Sequence, residues 1–214
     1  MVIGIDVAMR SDVRPMWRLL TESFVLWNNN FADYSVFAER VFRSPGNGWI
    51  FLAAHDDDQF AGFAVVKPNQ NLGRETMPES IWGELLYVAV PADRRGQGVG
   101  AALISAAEQL LLESGRLAIM ACLDGGSVKL YARLGWAVGD HNEWILFPDY
   151  YTGRHGHQAW GHPADALYPR WAWKSLDPHR PVKAWTMPAG QKPPLAKLKA
   201  ELLRQSTYQP MGPV

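Results

Sequence analysis

A continuous apolar run, Ile81-Trp82-Gly83-Glu84-Leu85-Leu86-Tyr87-Val88-Ala89-Val90, leads into Pro91-Ala92-Asp93-Arg94-Arg95-Gly96-Gln97-Gly98-Val99-Gly100 and then into the segment 101–113. A short run this apolar, bounded by turn residues, suits a strand buried on both faces. The segment after the glycines carries Leu103, Ile104, Ala107, Leu110 and Leu111, the spacing of one helix face. The order is strand, basic glycine loop, helix. Gly96, Gly98 and Gly100 remove side chains that would hold an anion off the backbone, so amides of the loop and of the first helical turn, Ala101 included, can point at a phosphate. Arg94 or Arg95 can add charge. The run matches neither the dinucleotide fingerprint nor the P-loop, which wants a Lys and a Ser or Thr after its last glycine.

Upstream, Ile3-Gly4-Ile5-Asp6-Val7 alternates like a strand, and Ser11-Asp12 offers an N-cap before Val13, Met16, Trp17, Leu20 and Phe24 at helical spacing. A second helix is expected through Phe37, Val41 and Phe42, ended by Ser44-Pro45-Gly46-Asn47-Gly48. Two strands, 49–54 and 60–66, then read as a hairpin whose tip, Asp56-Asp57-Asp58-Gln59, is solvated and holds no calcium. Residues 67–80 are polar and broken by Pro68, Gly73 and Pro78, as in a loop lying over a cleft. Glu84 is the one acid in the apolar run. A carboxylate there costs several kcal/mol unless it is paired or its pKa rises, which marks it as a candidate functional group. Its bland alternative is an exposed place at the strand's start.

After the long helix come a strand at 117–123, the turn Asp124-Gly125-Gly126 and a short helix, Ser127-Val128-Lys129-Leu130-Tyr131-Ala132-Arg133-Leu134, ending in Gly135-Trp136. Strands at 136–138 and 143–147 should complete the sheet, and Cys122 reads as strand filler. The overall class is α/β with helices flanking a mixed, largely antiparallel sheet.

Charge divides the 214 residues at about position 149: residues 1–149 hold 12 Lys and Arg against 18 Asp and Glu, and residues 150–214 hold 9 against 3. The two parts are read as a body, 1–149, and a basic, aromatic extension, 150–214. Tyr150, Tyr151, Trp160, Tyr168, Trp171, Trp173 and Trp185 are its packing anchors, and Leu195, Leu198 and Leu202 mark a closing helix. A segment so aromatic should wrap its own body or a partner subunit in a homodimer. Basic charge beside stacking aromatics also suits nucleic acid, but complementarity to the acidic body explains the charge more simply. His155, His157 and His162 lack companion cysteines, so no metal is expected. With one cysteine, no leader-like start and no membrane-spanning run, a soluble cytoplasmic chain is expected.

Two motifs about thirty residues apart carry a resemblance. Arg95-Gly96-Gln97-Gly98-Val99-Gly100 is similar to the Arg/Gln-x-x-Gly-x-Gly/Ala loop of the GNAT superfamily of N-acyltransferases. Leu130-Tyr131 with Leu134-Gly135-Trp136 resembles that family's Leu/Phe-Tyr-x-x-Leu-Gly-Phe segment. The resemblance implies a GNAT-type twisted sheet whose central strands, about 82–90 and 117–123, run parallel but splay apart around acetyl-CoA, the co-substrate. Val88, Ala89 and Val90 would bond the pantetheine arm, and the loop from Arg94 to Ala101 would hold the pyrophosphate. The Val88 amide would face the oxyanion, Glu84 would serve as base and Tyr131 as acid to the departing sulfur. Asp124 stands where many members carry an Asn that reaches the pantetheine, and Ser127 follows it in the same turn.

The implied activity is transfer of an acetyl group to a primary amine of a small molecule or protein, by direct attack in a ternary complex. An amine borne on nucleic acid, such as an aminoacyl-tRNA or a modified base, is the second reading. A non-catalytic acyl-CoA-binding module is the third, and Glu84 together with Tyr131 argues against it. The acceptor is not written in the sequence.

Overall fold

In the computed structural model the described residues are 3–24, 31–44, 48–68, 81–141, 143–147, 158–160, 170–182 and 184–187. Within them the body forms β1 (Ile3–Val7), α1 (Val13–Ser23), α2 (Tyr34–Phe42), β2 (Ile50–Asp56), β3 (Gln59–Lys67), β4 (Trp82–Ala89), α3 (Val99–Glu113), β5 (Ala118–Leu123), α4 (Val128–Arg133) and β6 (Ala137–Val138). Four further strands follow: β7 (Trp144–Phe147), β8 (Gln158–Trp160), β9 (Arg170–Ser175) and β10 (Trp185–Met187). Residues 69–80 of the loop expected at 67–80, the three tail histidines, Tyr150, Tyr151, Tyr168 and the expected helix at 195–205 lie outside the described residues, while Lys67 of that loop ends β3.

Seven strands form one sheet in the order β1-β2-β3-β4-β5-β9-β6. Neighbours pair antiparallel except β4 and β5, which are parallel. Asp57 and Asp58 form the tip of the β2–β3 hairpin with φ of 46° and 63°, the left-handed turn that Asp tolerates. Helices α1 and α2 cover one face, where Met16, Leu20, Phe31, Phe37, Phe51 and Phe63 are buried in an aromatic core. The Asp33 side chain starts α2 by accepting from the Val36 amide at 3.0 Å. Helices α3 and α4 cover the other face, with Leu103, Ile104, Ala107 and Leu111 against Leu52, Ala64, Leu85 and Ile119.

Two glycines let α3 settle on this face. A Cβ at Gly83 of β4 would lie 2.4 Å from Leu111 Cδ2. At Gly62 of β3 it would lie 2.7 Å from the Ala89 carbonyl oxygen and 3.3 Å from Val99 and Leu103. The close approach fixes where α3 begins, and its N-terminus opens beside the end of β4.

The expected strand at 143–147 exists as β7, but it does not complete the main sheet. It pairs with β8 and β10 in a separate three-stranded sheet. Its place is taken by β9, which pairs with β5 from Ala118↔Ser175 to Leu123↔Arg170 and with β6 on its other edge. A division at residue 149 therefore cuts through the strand sequence of the main sheet. Of the expected tail anchors, Trp171 is 3% exposed and Trp173 packs beside it, in a third core with Ile81, Trp82, Leu117 and Met120.

A chain truncated after residue 149 loses β9 and leaves β5 and β6 without their shared partner. The expected outcome is loss of the cooperative thermal transition of the full chain, measured by near-ultraviolet circular dichroism; an unchanged melt would show that β9 is dispensable.

Candidate active site

The parallel pairing of β4 with β5 covers only Trp82↔Ala118, Gly83↔Ile119 and Glu84↔Met120. Beyond Glu84 the strands part. On its other edge β4 stays paired with β3 as far as Ala89. The residues after Glu84 thus turn an edge without a β5 partner toward the gap.

Within this stretch the β3–β4 register slips by one: Val66 faces Leu85 and Val65 faces Tyr87, so Leu86 is an extra residue, a β-bulge. Leu86 and Tyr87 both pack on the α1/α2 face, whereas Leu85 and Val88 pack on the α3 face. Simple alternation puts Glu84 and Val88 on one face, and the bulge overrides it. Glu84 belongs to the α1/α2 side, where its carboxylate lies 3.7 Å from Lys67 Nζ and Lys67 lies over the ring of Trp49.

A cavity of about 630 Å³ opens at the gap. Val88, Ala89 and Val90 form one wall; Gly96, Gly98, Val99, Gly100 and Ala101 form the end; Asp124, Ser127 and Tyr131 form the opposite wall. Gly98 is the residue before α3, and φ is +76° at Gly96 and +91° at Gly98. A side chain at either would meet nothing within 4 Å, so it is the left-handed backbone, not crowding, that requires glycine. The first backbone N–H groups of α3 have no acceptor within the helix, and their positive end of the helix dipole faces the cavity.

The two arginines of the loop are not equivalent. Arg94 is tied to the β2–β3 hairpin, its guanidinium donating to Asp56 Oδ2 at 2.9 Å and to Gln59 Oε1 at 2.8 Å. Arg95 donates Nε to the Val90 carbonyl at 3.1 Å and is exposed. Both line the cavity, with Arg94 bracing the loop and Arg95 the more available charge. Gln97 does not line it: its amide turns back to the Asp93 carbonyl at 3.0 Å. Glu84 does not line it either; it lies on the α1/α2 side beside Lys67.

Asp124 has a local task. Its Oδ1 accepts from the Ser127 amide at 2.7 Å and so closes the turn that begins α4. Tyr131 is buried edge-on against Trp136, ring centroids 4.8 Å apart. Burial, helped by the negative charges of Asp124 and Glu108 and by Cys122, holds its hydroxyl well above the ordinary phenol value. It stays protonated, a hydrogen-bond donor, throughout the neutral range. Trp136 Nε1 donates to Glu108 Oε1 at 2.6 Å, and Lys174 of β9 donates to Glu108 Oε2 at 2.7 Å and to the Leu134 carbonyl at 2.9 Å. Burial pushes the Glu84 carboxyl up, and Lys67 opposes that.

A sequence profile of the acetyltransferase (GNAT) family matches residues 13–136. The chain belongs to this family. Its fold is that of known GNAT structures. YncA from Salmonella typhimurium, solved with acetyl-CoA, superimposes with a TM-score of 0.57 at 16% identity over 86% of this chain and 99% of the other. Phosphinothricin acetyltransferase from Sinorhizobium meliloti, solved with the same molecule, gives 0.57 at 18% identity over 86% and 94%. Ribosomal-protein-alanine N-acetyltransferase from Brucella melitensis gives 0.56 at 18% over 80% and 99%. No curated protein is significantly similar in sequence.

Several lining residues of this acetyltransferase escaped the sequence reading. Leu130, Arg133 and Leu134 lie inside the motif that carried the resemblance, one helical turn around Tyr131. Ser23 and Phe24, at the end of α1, carry no local signal and arrive only through tertiary packing. Among the described residues no group of three or more His, Cys, Asp or Glu could hold a metal ion, and no helix is long and apolar enough to cross a membrane.

Replacing Asp124 by Ala removes the acceptor of the Ser127 amide. The expected loss is about 1 kcal/mol of unfolding free energy in a denaturant titration, the usual scale for such a cap.

Proposed function

We propose that this enzyme transfers an acetyl group from acetyl-CoA to a primary amine by direct attack within a ternary complex. The observation that carries the reading is the joining of three features in one cavity: the unpaired edge of β4, the glycine loop at the start of α3 and the Tyr131 ring. An unpaired strand edge suits an amide-bearing arm such as pantetheine. A loop of free amides beside Arg95 suits a pyrophosphate. Similar structures solved with acetyl-CoA support the same ligand.

In this mechanism the Val88 amide donates to the carbonyl oxygen as it gains negative charge, a fixed dipole worth a few kcal/mol in the transition state. An alkyl amine with a pKa of roughly 10 arrives mostly as ammonium and must lose a proton before its lone pair can attack. Glu84 takes that proton through a water. Attack forms the carbon–nitrogen bond and leaves the nitrogen one proton in excess. As the tetrahedral intermediate collapses, the carbon–sulfur bond breaks, Tyr131 donates a hydrogen bond to the departing thiolate, and the nitrogen's extra proton passes to that thiolate or to water. The raised pKa of Tyr131 favours hydrogen-bond support over complete transfer of its own proton. No nucleophilic side chain is needed, because proximity supplies most of the advantage.

Both small molecules and proteins are acceptors to test, since the names of similar structures give phosphinothricin in one case and a ribosomal-protein alanine in another. Thiol release from acetyl-CoA, measured across amino acids, polyamines, aminoglycosides, peptides and aminoacyl-tRNA, tests the reading. Turnover with one amine class supports it, and binding of coenzyme A without turnover on any of them would favour a non-catalytic module.

Tyr131→Phe should lower kcat by roughly 100-fold with coenzyme A affinity nearly intact. An unaltered rate would make Tyr131 a core aromatic only.

The raised pKa of Glu84 predicts a pH dependence. The base works as carboxylate and takes its proton from the bound ammonium, so kcat/KM should fall as pH drops through that raised value, where the amine is fully ammonium throughout. Glu84→Gln should abolish this acidic limb and lower the rate at neutral pH. A wild-type profile in the mutant would move the base elsewhere.

A further inference from the structure

Lys67 is the last residue of β3 and stands directly opposite Glu84 in the β3–β4 ladder. Its Nζ lies 3.7 Å from Glu84 Oε2, with side-chain exposures of 23% and 16%. That separation is an ion pair longer than a charge-assisted hydrogen bond, so it lends charge yet leaves the carboxylate's lone pairs available to a water. Lys67 is itself confined. Its ammonium lies 5.3 Å from the ring centre of Trp49, and the Arg40 guanidinium of α2 lies 4.4 Å from the same ring. On the β5 side the residue opposite Glu84 is Met120, which is apolar. Of the charged groups about Glu84, Lys67 acts on it directly and Arg40 lies across the indole.

Packing alone does not explain this arrangement. A largely buried ion pair is typically no better for stability than apolar residues of similar volume, and the neighbouring residues are strongly apolar. What the pair does change is the state of the carboxylate. Burial favours the neutral acid, which cannot accept a proton, and the nearby ammonium opposes it.

We propose that Lys67 is the positioning residue of the acetyl-transfer site, holding the Glu84 carboxylate in place and ionised from across the ladder while Trp49 holds Lys67. The inference rests on Glu84 acting as the base. Lys67 touches neither substrate and acts only through Glu84.

The test uses the full-length protein and Lys67→Met, which keeps an apolar stem over Trp49 but removes the charge, with Lys67→Arg as the conservative control. Lys67→Gln replaces the Met variant should its thermal melt show loss of fold. The Glu84 side-chain carboxyl is followed by carbon-13 resonance without any ligand, its signal assigned by its loss in Glu84→Gln. The expected result is titration at higher pH in Lys67→Met and near the wild-type position in Lys67→Arg. With acetyl-CoA and the amine that turns over fastest in the acceptor panel, kcat/KM of Lys67→Met at pH 7 should fall about tenfold and recover toward wild type at high pH. An unmoved carboxyl titration in Lys67→Met overturns the role of Lys67. A carboxyl that moves while the acidic limb of kcat/KM stays still overturns Glu84 as the base and leaves the pairing intact.

Discussion

The separation of β4 from β5 after Glu84↔Met120 is the constraint on which the site depends. A sheet saturates its backbone groups through neighbouring strands, so two adjacent strands that part leave unmet donors and acceptors that something else must satisfy. Each strand keeps its outer partner, β4 with β3 through Ala89 and β5 with β9 through Leu123. The opening is therefore a defect inside an otherwise continuous sheet. Helix α3, seated on Gly62 and Gly83, brings its N-terminus to the mouth of that opening. Strand edge and helix end supply backbone polarity to one cavity with few charged side chains.

Polar side chains hold the walls of that cavity in register. Arg94 spends its guanidinium on Asp56 and Gln59, locking the glycine loop to a hairpin, and Asp124 closes the turn before α4. The longest of these connections runs from Tyr131 through the Trp136 ring and the Glu108 carboxylate to Lys174. Lys174 belongs to β9, beyond the residues that the family profile matches. The strand inserted late in the chain thus completes the sheet and also buttresses the aromatic pair at the cavity wall.

What the sequence made legible was local. The apolar run, the three glycines and the helical spacing after them sit within about thirty residues, and each follows from backbone physics at its own position. The place of β9 was not legible, because antiparallel pairing over a long separation leaves no periodic trace, and 143–147 is as strand-like as 170–175. Tryptophans 171 and 173 did signal burial, though not which sheet would bury them. The bulge at Leu86 was hidden for another reason. It needs no glycine or proline, and Leu-Leu-Tyr reads as ordinary strand.

That one extra residue decides which face Glu84 and Val88 occupy. Strict alternation from Glu84 would place the Val88 side chain on the α1/α2 face. The bulge sends Val88 to the α3 face and leaves Glu84 and Tyr87 on the other. In the proposed reaction the thioester lies in the gap against the Val88 amide, and the proton leaves toward Glu84. In that reading the proposed base lies on the α1/α2 side of β4, and the proposed oxyanion donor is a backbone amide in the plane of the sheet at the edge where β4 and β5 have parted. The cross-strand Lys67 meets Glu84 before the slip, where Lys67 pairs with Glu84 and Val66 with Leu85.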